Sequence, residues 1–225
     1  MALLPELLEA AGVEPGVRDR LAQYGRLVLQ TNRSLNLTGA KTEDELAPHL
    51  LDSLSLLPYL GADLIDVGSG AGFPAIPLAI ASGRPITMVE TTQKKALFLR
   101  RALDELELEG EVVNERAEVA GHVGRLRDRF TTGTARAVGS GPTVMELLLP
   151  FVAAGGLALL QRGKLDGTER AAMSDAAPML AAEVEAELPA GGDRRIILVR
   201  KLGTTPQRFP RRAGVPDQRP LCLER

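Results

Sequence analysis

Residues 63–74, Asp-Leu-Ile-Asp-Val-Gly-Ser-Gly-Ala-Gly-Phe-Pro, constrain the fold more than any other stretch. Leu64, Ile65 and Val67 form a short apolar run with β-branched members, as expected of a strand buried on both faces of a parallel sheet. Gly68, Gly70 and Gly72 follow at alternate positions. Glycine there lets the backbone take positive φ and approach a ligand with no Cβ in the way. Pro74 suits the opening turn of a helix, where its missing N–H is no loss. Ile76, Leu78, Ala79 and Ile80 then give that helix an apolar side. A strand that feeds a helix through such a turn aims free N–H groups at the carboxyl end of the sheet, where ligands of α/β folds bind.

The chain of 225 residues is long enough for one domain, or one domain with a small appendage, and 44% apolar composition agrees with a proper core. No run of about 18 apolar residues is present, so no membrane span is expected. Met1-Ala2-Leu3-Leu4-Pro5-Glu6 lacks a basic start and is interrupted by Glu6 and Glu9, so no signal peptide is expected. The single cysteine, Cys222, excludes an internal disulfide and a cysteine-cluster metal site. His49 and His122 have no ligand spacing, so the expectation is a cytosolic, metal-free protein. A net charge of −2 argues against broad nonspecific nucleic-acid binding, but not against a local basic face.

Leu3, Leu4, Leu7, Leu8 and Ala11, then Val17, Leu21, Tyr24, Leu27 and Val28, recur at helical spacing across residues 3–32. Thr42 with Glu45 has the spacing of a capping box for a third helix. This leader, 1–60, is expected to pack on a core spanning 61–203 and to cover part of its ligand site. Ile86–Val89 is the expected second strand, and Thr92 the N-cap of a helix to Leu108 with Ala96, Leu97, Leu99, Leu103 and Leu106 inward. Residues 111–115 and 131–135 are the third and fourth strands, the latter polar for a central position. An apolar helix over 143–154 is expected to end at Gly155-Gly156, before a fifth strand over 157–160. A polar helix over 168–182 precedes a hairpin of the last two strands, 183–188 and 194–201. The tail, 204–225, reads as extended and basic, because its prolines oppose a helix.

The ligand of the glycine turn is narrowed by what the turn lacks. A dinucleotide fingerprint would need glycine at position 73, where the chain has Phe73. No Lys-Ser or Lys-Thr follows, so the turn is no triphosphate P-loop. An acid, Glu90, closes the second strand, where it can accept hydrogen bonds from both ribose hydroxyls. Glycine turn plus ribose acid resembles the S-adenosylmethionine site of Rossmann-like methyltransferases. A glycine-rich turn of some other α/β protein is the competing reading.

Several separated motifs resemble one family, the bacterial 16S rRNA guanine-N7 methyltransferase G family, also called glucose-inhibited division protein B. They are Asn36-Leu37-Thr38, His49-x-x-Asp52-Ser53, Asp66 to Pro74, Lys94-Lys95-x-x-Phe98-Leu99, Arg116-Ala117-Glu118, Ala135-Arg136-Ala137, Arg194, and Phe209-Pro210-Arg211-Arg212-x-Gly214. The resemblance implies a Rossmann-like class I fold, with a mostly parallel seven-stranded sheet and an N-terminal helical extension. It implies methyl transfer from S-adenosylmethionine to N7 of one guanine, the guanine-527 class site, of 16S rRNA in the 30S subunit. A monomer is expected.

Carried over by position, Asp66, Gly68, Ser69, Gly70, Gly72 and Phe73 line the cofactor site, and Glu90, Thr91 and Thr92 hold the ribose region. Ala117 and Glu118 meet the adenine side. Arg136 lies at the cofactor–substrate junction as a positioning group, with no general base expected. Lys94, Lys95, Arg162, Arg194, Arg211 and Arg212 are the expected RNA-facing cations. The chain departs from the pattern at Thr31, Ala75, Thr131 and Arg162, and none of these removes a cofactor group. A methyltransferase of another substrate, or a noncatalytic RNA-binding assembly factor, are the rival readings.

Overall fold

The computed structural model describes residues 4–136 and 139–223. Leu3 of the first helical pattern and Ala137 of the Ala135-Arg136-Ala137 motif lie outside the described residues.

The leader folds as α1 (Leu4–Ala10), α2 (Pro15–Asn32) and α3 (Glu43–Leu54). Leu4, Leu8, Leu21, Leu46 and Leu50 interlock between these three helices and are fully buried. The start of α3 carries the expected cap, with Thr42 Oγ1 accepting the Glu45 N–H at 3.3 Å. The Glu45 carboxylate reaches back to the N–H of Lys41, one residue earlier than a strict capping box. The leader packs on the face of the sheet that carries α4 (Ala75–Ser82) and α5 (Gln93–Glu105).

Seven strands form one sheet: β1 (Leu64–Val67), β2 (Ile86–Val89), β3 (Gly110–Val113), β4 (Phe130–Arg136), β5 (Val152–Arg162), β6 (Ala182–Pro189) and β7 (Arg195–Lys201). Their spatial order is β3-β2-β1-β4-β5-β7-β6. The first five are parallel, whereas β7 runs antiparallel to both β5 and β6. The seven-stranded, mostly parallel sheet expected from the sequence is therefore present. The order reverses between β1 and β4, which puts the glycine turn after β1 at a topological switch point. Alternate residues of the strands feed two cores. Leu64, Met88 and Leu159 face α1–α5, whereas Ile65, Val89 and Leu160 face α6 (Ala117–Ala120), α7 (Gly141–Leu148) and α8 (Gly167–Met179).

The polar β4 is central because each of its threonines has a partner. Thr131 Oγ1 donates to Asp63 Oδ1 at 2.6 Å, Thr132 Oγ1 accepts the Gly61 N–H at 2.6 Å, and Thr134 Oγ1 donates to Asp66 Oδ1 at 2.7 Å. A buried hydroxyl so paired avoids the desolvation cost that makes polar central strands rare. Gly133 lets α7 settle on the sheet, since a Cβ there would sit 2.8 Å from Val152 and 2.9 Å from Leu148.

Several expectations are corrected. Gly155 and Gly156 do not end a helix: α7 stops at Leu148, a single 3-10 turn covers Leu149–Phe151, and both glycines lie inside the long β5. Leu97 points outward and is 54% exposed, while Phe98 takes the inward place. The strict helical period had left that choice to packing. The tail is not uniformly extended, because α9 (Val215–Gln218) forms with Pro216 in its first turn, the one place a helix accepts proline.

Nor does the tail hang free. Arg127 donates to the carbonyls of Gly121, Thr205 and Phe209 at 2.7–3.0 Å. Thr143 Oγ1 donates to the Pro216 carbonyl at 2.9 Å. Lys201, fully buried at the end of β7, donates to Asp128 Oδ1 and to the carbonyls of Leu149 and Val152 at 2.7–2.8 Å. Burial holds its ammonium below the usual lysine range, and Asp128 opposes that shift. No helix of the described residues is long and apolar enough to cross a membrane.

Candidate functional site

The turn after β1 takes positive φ at Gly68 (73°), Gly70 (56°) and Gly72 (95°). At Gly72 the requirement is also steric, because a Cβ would lie 2.7 Å from Ile76 and 2.9 Å from the Tyr24 hydroxyl. Tyr24, buried on α2, donates that hydroxyl to the Ala71 carbonyl at 2.5 Å. Burial lifts its phenol well above the ordinary value, so it stays a donor. The leader therefore supports the turn from beneath.

Glu90 fastens the turn from the side. One carboxylate oxygen accepts the Gly70 N–H at 2.8 Å and the other accepts the Thr92 N–H at 2.7 Å. Asn114, after β3, donates to the carbonyls of Glu90 and Thr91 at 2.8 and 3.1 Å, joining the second and third strand tips. Each Glu90 oxygen has a second lone pair free for a ligand hydroxyl. The side chain that suits a ribose diol thus also holds the loop in shape.

Asp66 is buried under the same turn. Its Oδ1 accepts from Thr134, while Oδ2 has no hydrogen-bond partner. Burial pushes this carboxyl up to about 7, against the pull of the nearby Ser69 hydroxyl, the Thr134 hydrogen bond and the Arg136 charge. An acid in that position is poised to receive a cationic or hydrogen-bonding group of a ligand.

A cavity of about 200 Å³ opens beside the turn, lined by Leu37, Thr38, Gly68, Ser69, Phe73 and Arg136 among others. Arg136 stands at the tip of β4, its guanidinium carbon 5.1 Å from the centre of the Phe73 ring. Tyr24 and His49 flank the same ring at 5.4 and 5.8 Å. Burial, then the charge of Arg136, holds His49 below the usual histidine range, keeping it neutral. The roof of the cavity is the loop 33–40. Asn32 builds it: Oδ1 accepts the N–H groups of Leu37 and Thr38 at 2.7 and 3.0 Å, and Nδ2 donates to the carbonyls of Thr38 and Ala40 at 2.8 and 2.9 Å.

Asp66, Gly68, Ser69, Gly70, Gly72, Phe73, Glu90, Thr91, Thr92 and Arg136 are thus gathered around one turn. Glu118 is used differently from the expectation, since its Oε1 accepts the Gly214 N–H at 2.8 Å and so anchors the tail. Ala117, at the start of α6, is buried. Arg136 also has a partner from the leader. Its ion pair is with Asp52 of α3, at 3.6 Å.

The expected RNA-facing cations divide. Lys94 is exposed and Lys95 half-buried on α5, and Arg212 is exposed in the tail. Arg194, half exposed just ahead of β7, lies 3.8 Å from Asp52. Arg162 does not face outward. It donates to Glu169 and to the Gly139 carbonyl, both at 2.6 Å, and Glu169 also accepts the Gly141 N–H. Its job is to strap the chain ahead of α7. Arg211 is also spent internally, forking onto the fully buried Glu146 at 2.6–3.0 Å and donating to the Arg219 carbonyl. An unpaired Glu146 charge would be costly there, so the arginine of the tail is bound inward.

Sequence reading missed three site contributors: Asn32, His49 and Asp52. A signal for the last two was present, since positions three apart on a helix share a face. Which face met the cavity was not readable. Among the described residues no group of three His, Cys, Asp or Glu side chains is placed to hold a metal ion.

The family model described as rRNA small subunit methyltransferase G matches residues 18–197. A ribosomal RNA small subunit methyltransferase G of Pelotomaculum thermopropionicum is 38% identical, covering 98% of this chain and 100% of the relative. One of Deinococcus deserti is 40% identical over 96% of each. Among solved structures, an O-methyltransferase from Bacillus cereus in complex with SAH superposes with a TM-score of 0.56 at 18% identity, covering 80% of this chain and 91% of that one. A T. thermophilus 16S rRNA N2 methyltransferase in complex with AdoMet and guanosine gives 0.51 at 16% identity, covering 71% and 40%. At such identities these two speak for the fold alone.

Proposed function

The chain belongs to the rRNA small subunit methyltransferase G family, and on that premise we propose that it uses the site beside the glycine turn to methylate N7 of one guanine of 16S rRNA within the 30S subunit. It is an S-adenosylmethionine-dependent enzyme of RNA modification. The observation that carries the assignment of the site is the Gly68–Gly72 turn, braced by Glu90 and opening on a cavity closed by Phe73 and Arg136.

The residues there fit S-adenosylmethionine. The unpartnered Asp66 Oδ2 and the bare glycine backbone suit the amino-acid end, and the free lone pairs of Glu90 suit the ribose hydroxyls. The backbone at Ala117 would meet the adenine side, with Glu118 supporting it indirectly through the tail. When bound, the cofactor supplies a methyl group already activated by its sulfonium.

Guanine N7 carries a lone pair and no proton, so the chain needs no general base. Its task is alignment, which alone can contribute roughly 7–11 kcal/mol to lowering a two-reactant barrier. A cation stacked on the guanine would oppose the positive charge that develops on the ring. Arg136 therefore grips an anion, either the cofactor carboxylate or an RNA phosphate, with the planar fork that suits both. Lys94, Lys95, Arg194 and Arg212 meet RNA phosphates from the surrounding surface. We take the enzyme to act as a monomer in the cytoplasm, where small subunits are assembled.

Methyl transfer from labelled S-adenosylmethionine to 30S subunits, naked 16S rRNA, free nucleotides and protein tests the proposal. Label confined to one guanine N7 of 16S rRNA is the expected result. Label in protein or free nucleotide, or none in RNA, would overturn it.

A further inference from the structure

The helical leader contributes a side chain to the site for which the alignment chemistry above has no role so far. Asp52 sits on α3 with its side chain only 9% exposed. Its Oδ2 is 3.6 Å from Arg136 Nη1 and its Oδ1 is 3.8 Å from Arg194 Nη1. One carboxylate thus stands between two guanidiniums that come from separate elements, the tip of β4 and the chain entering β7. Its backbone is fixed, because the Asp52 carbonyl accepts from Gln161 Nε2 on β5 at 2.7 Å and from Ser55 Oγ at 2.6 Å.

Both ion-pair distances exceed those of direct charge-assisted hydrogen bonds, about 2.7–2.9 Å. Asp52 therefore restrains the two arginines by charge and leaves their N–H donors open to a second anion. It also competes for Arg136. The field of Asp52 acts on that guanidinium more strongly than the field of Asp66 beneath the turn. Without Asp52, Arg136 would lose its ion-pair partner and the restraint that keeps its guanidinium over Phe73.

We propose that Asp52 is a positioning residue for methyl transfer, holding Arg136 over Phe73 and Arg194 beside it so that the pair meets one phosphodiester of the substrate in a fixed orientation. This rests on the methyltransferase reading given above. The charge of Asp52 opposes RNA binding in itself, so its value must lie in orientation, and the two effects separate in kinetics.

Asp52→Asn should lower kcat on 30S subunits by at least about tenfold without raising KM, the sign of an interaction used only in the transition state. Asp52→Glu, which keeps the charge, should recover most of the rate. In the ligand-free protein, the guanidinium Nε–H resonances of Arg136 and Arg194 should shift in Asp52→Asn and stay in place in Asp175→Asn, an exposed control on α8. A kcat within about twofold of the parent, a change in KM alone, or a rate loss that follows lost folding and is not rescued by glutamate would each overturn the proposal. Unmoved arginine resonances would overturn it whatever the kinetics show. An inactive parent enzyme would instead count against the methyltransferase reading, and the resonances would still decide where Asp52 holds the arginines.

Discussion

Replacing Asp66 with asparagine should change how stability depends on pH. The carboxyl is buried, one oxygen has no partner, and its pKa stands at about 7 against an ordinary 3.8. A folded-state pKa above the unfolded one means that the folded protein holds the proton more tightly. The contribution of this group to stability is then fully present below the unfolded value and is lost as pH rises through the folded one. At 1.36 kcal/mol per tenfold, the complete loss is about 4 kcal/mol. Roughly 2.5 kcal/mol of it should develop between about pH 5 and pH 8.5. A carboxamide cannot ionise, so that loss should vanish in Asp66→Asn. A constant offset is expected besides, because the amide places a donor where Oδ2 had no partner, costing about 1–3 kcal/mol. The offset does not affect the slope. Urea unfolding of both proteins at several pH values measures the difference directly. The two stabilities should converge, or cross, as pH rises. Parallel curves across that range would show that the carboxyl titrates at its ordinary value, and would refute the picture of a desolvated acid under the turn.

Glu90→Gln keeps the side-chain volume but turns one backbone N–H acceptor into an amide donor, losing a charge-assisted bond of about 1.5–3 kcal/mol. Calorimetry should find S-adenosylmethionine bound at least about tenfold more weakly. Arg211→Ala strands the buried Glu146 and should cost about 3–5 kcal/mol in thermal or chemical unfolding. Arg212→Ala should leave stability unchanged and lower the salt dependence of 16S rRNA binding, as expected of a lost phosphate contact. Arg136→Lys keeps the charge and loses the planar fork. Its melting temperature should stay near normal, with methylation of 30S subunits slower by at least about tenfold.

What the sequence by itself determined is local or repeats along the chain. The Leu64–Val67 strand, the three positive-φ glycines and the α4 helix were legible because each is specified by backbone preference within a few residues. The count of seven strands followed from alternation of apolar runs with helical ones, and Glu90 was found because a strand tip is one residue from the run that defines it. The tertiary structure decided everything that depends on which surfaces meet. Arg211 and Arg212 are neighbours in one basic tail, yet only Arg211 lies over Glu146, 65 residues away in sequence. Arg162 met Glu169 instead of solvent, and Arg136 met Asp52 from the leader. The polar β4 became central through Gly61, Asp63 and Asp66, on and just ahead of the neighbouring strand β1. An isolated arginine or threonine carries the same chemistry whether it ends on a buried acid or in water. Long-range packing decides between those ends, because it sets which charges are desolvated together and must therefore be paired.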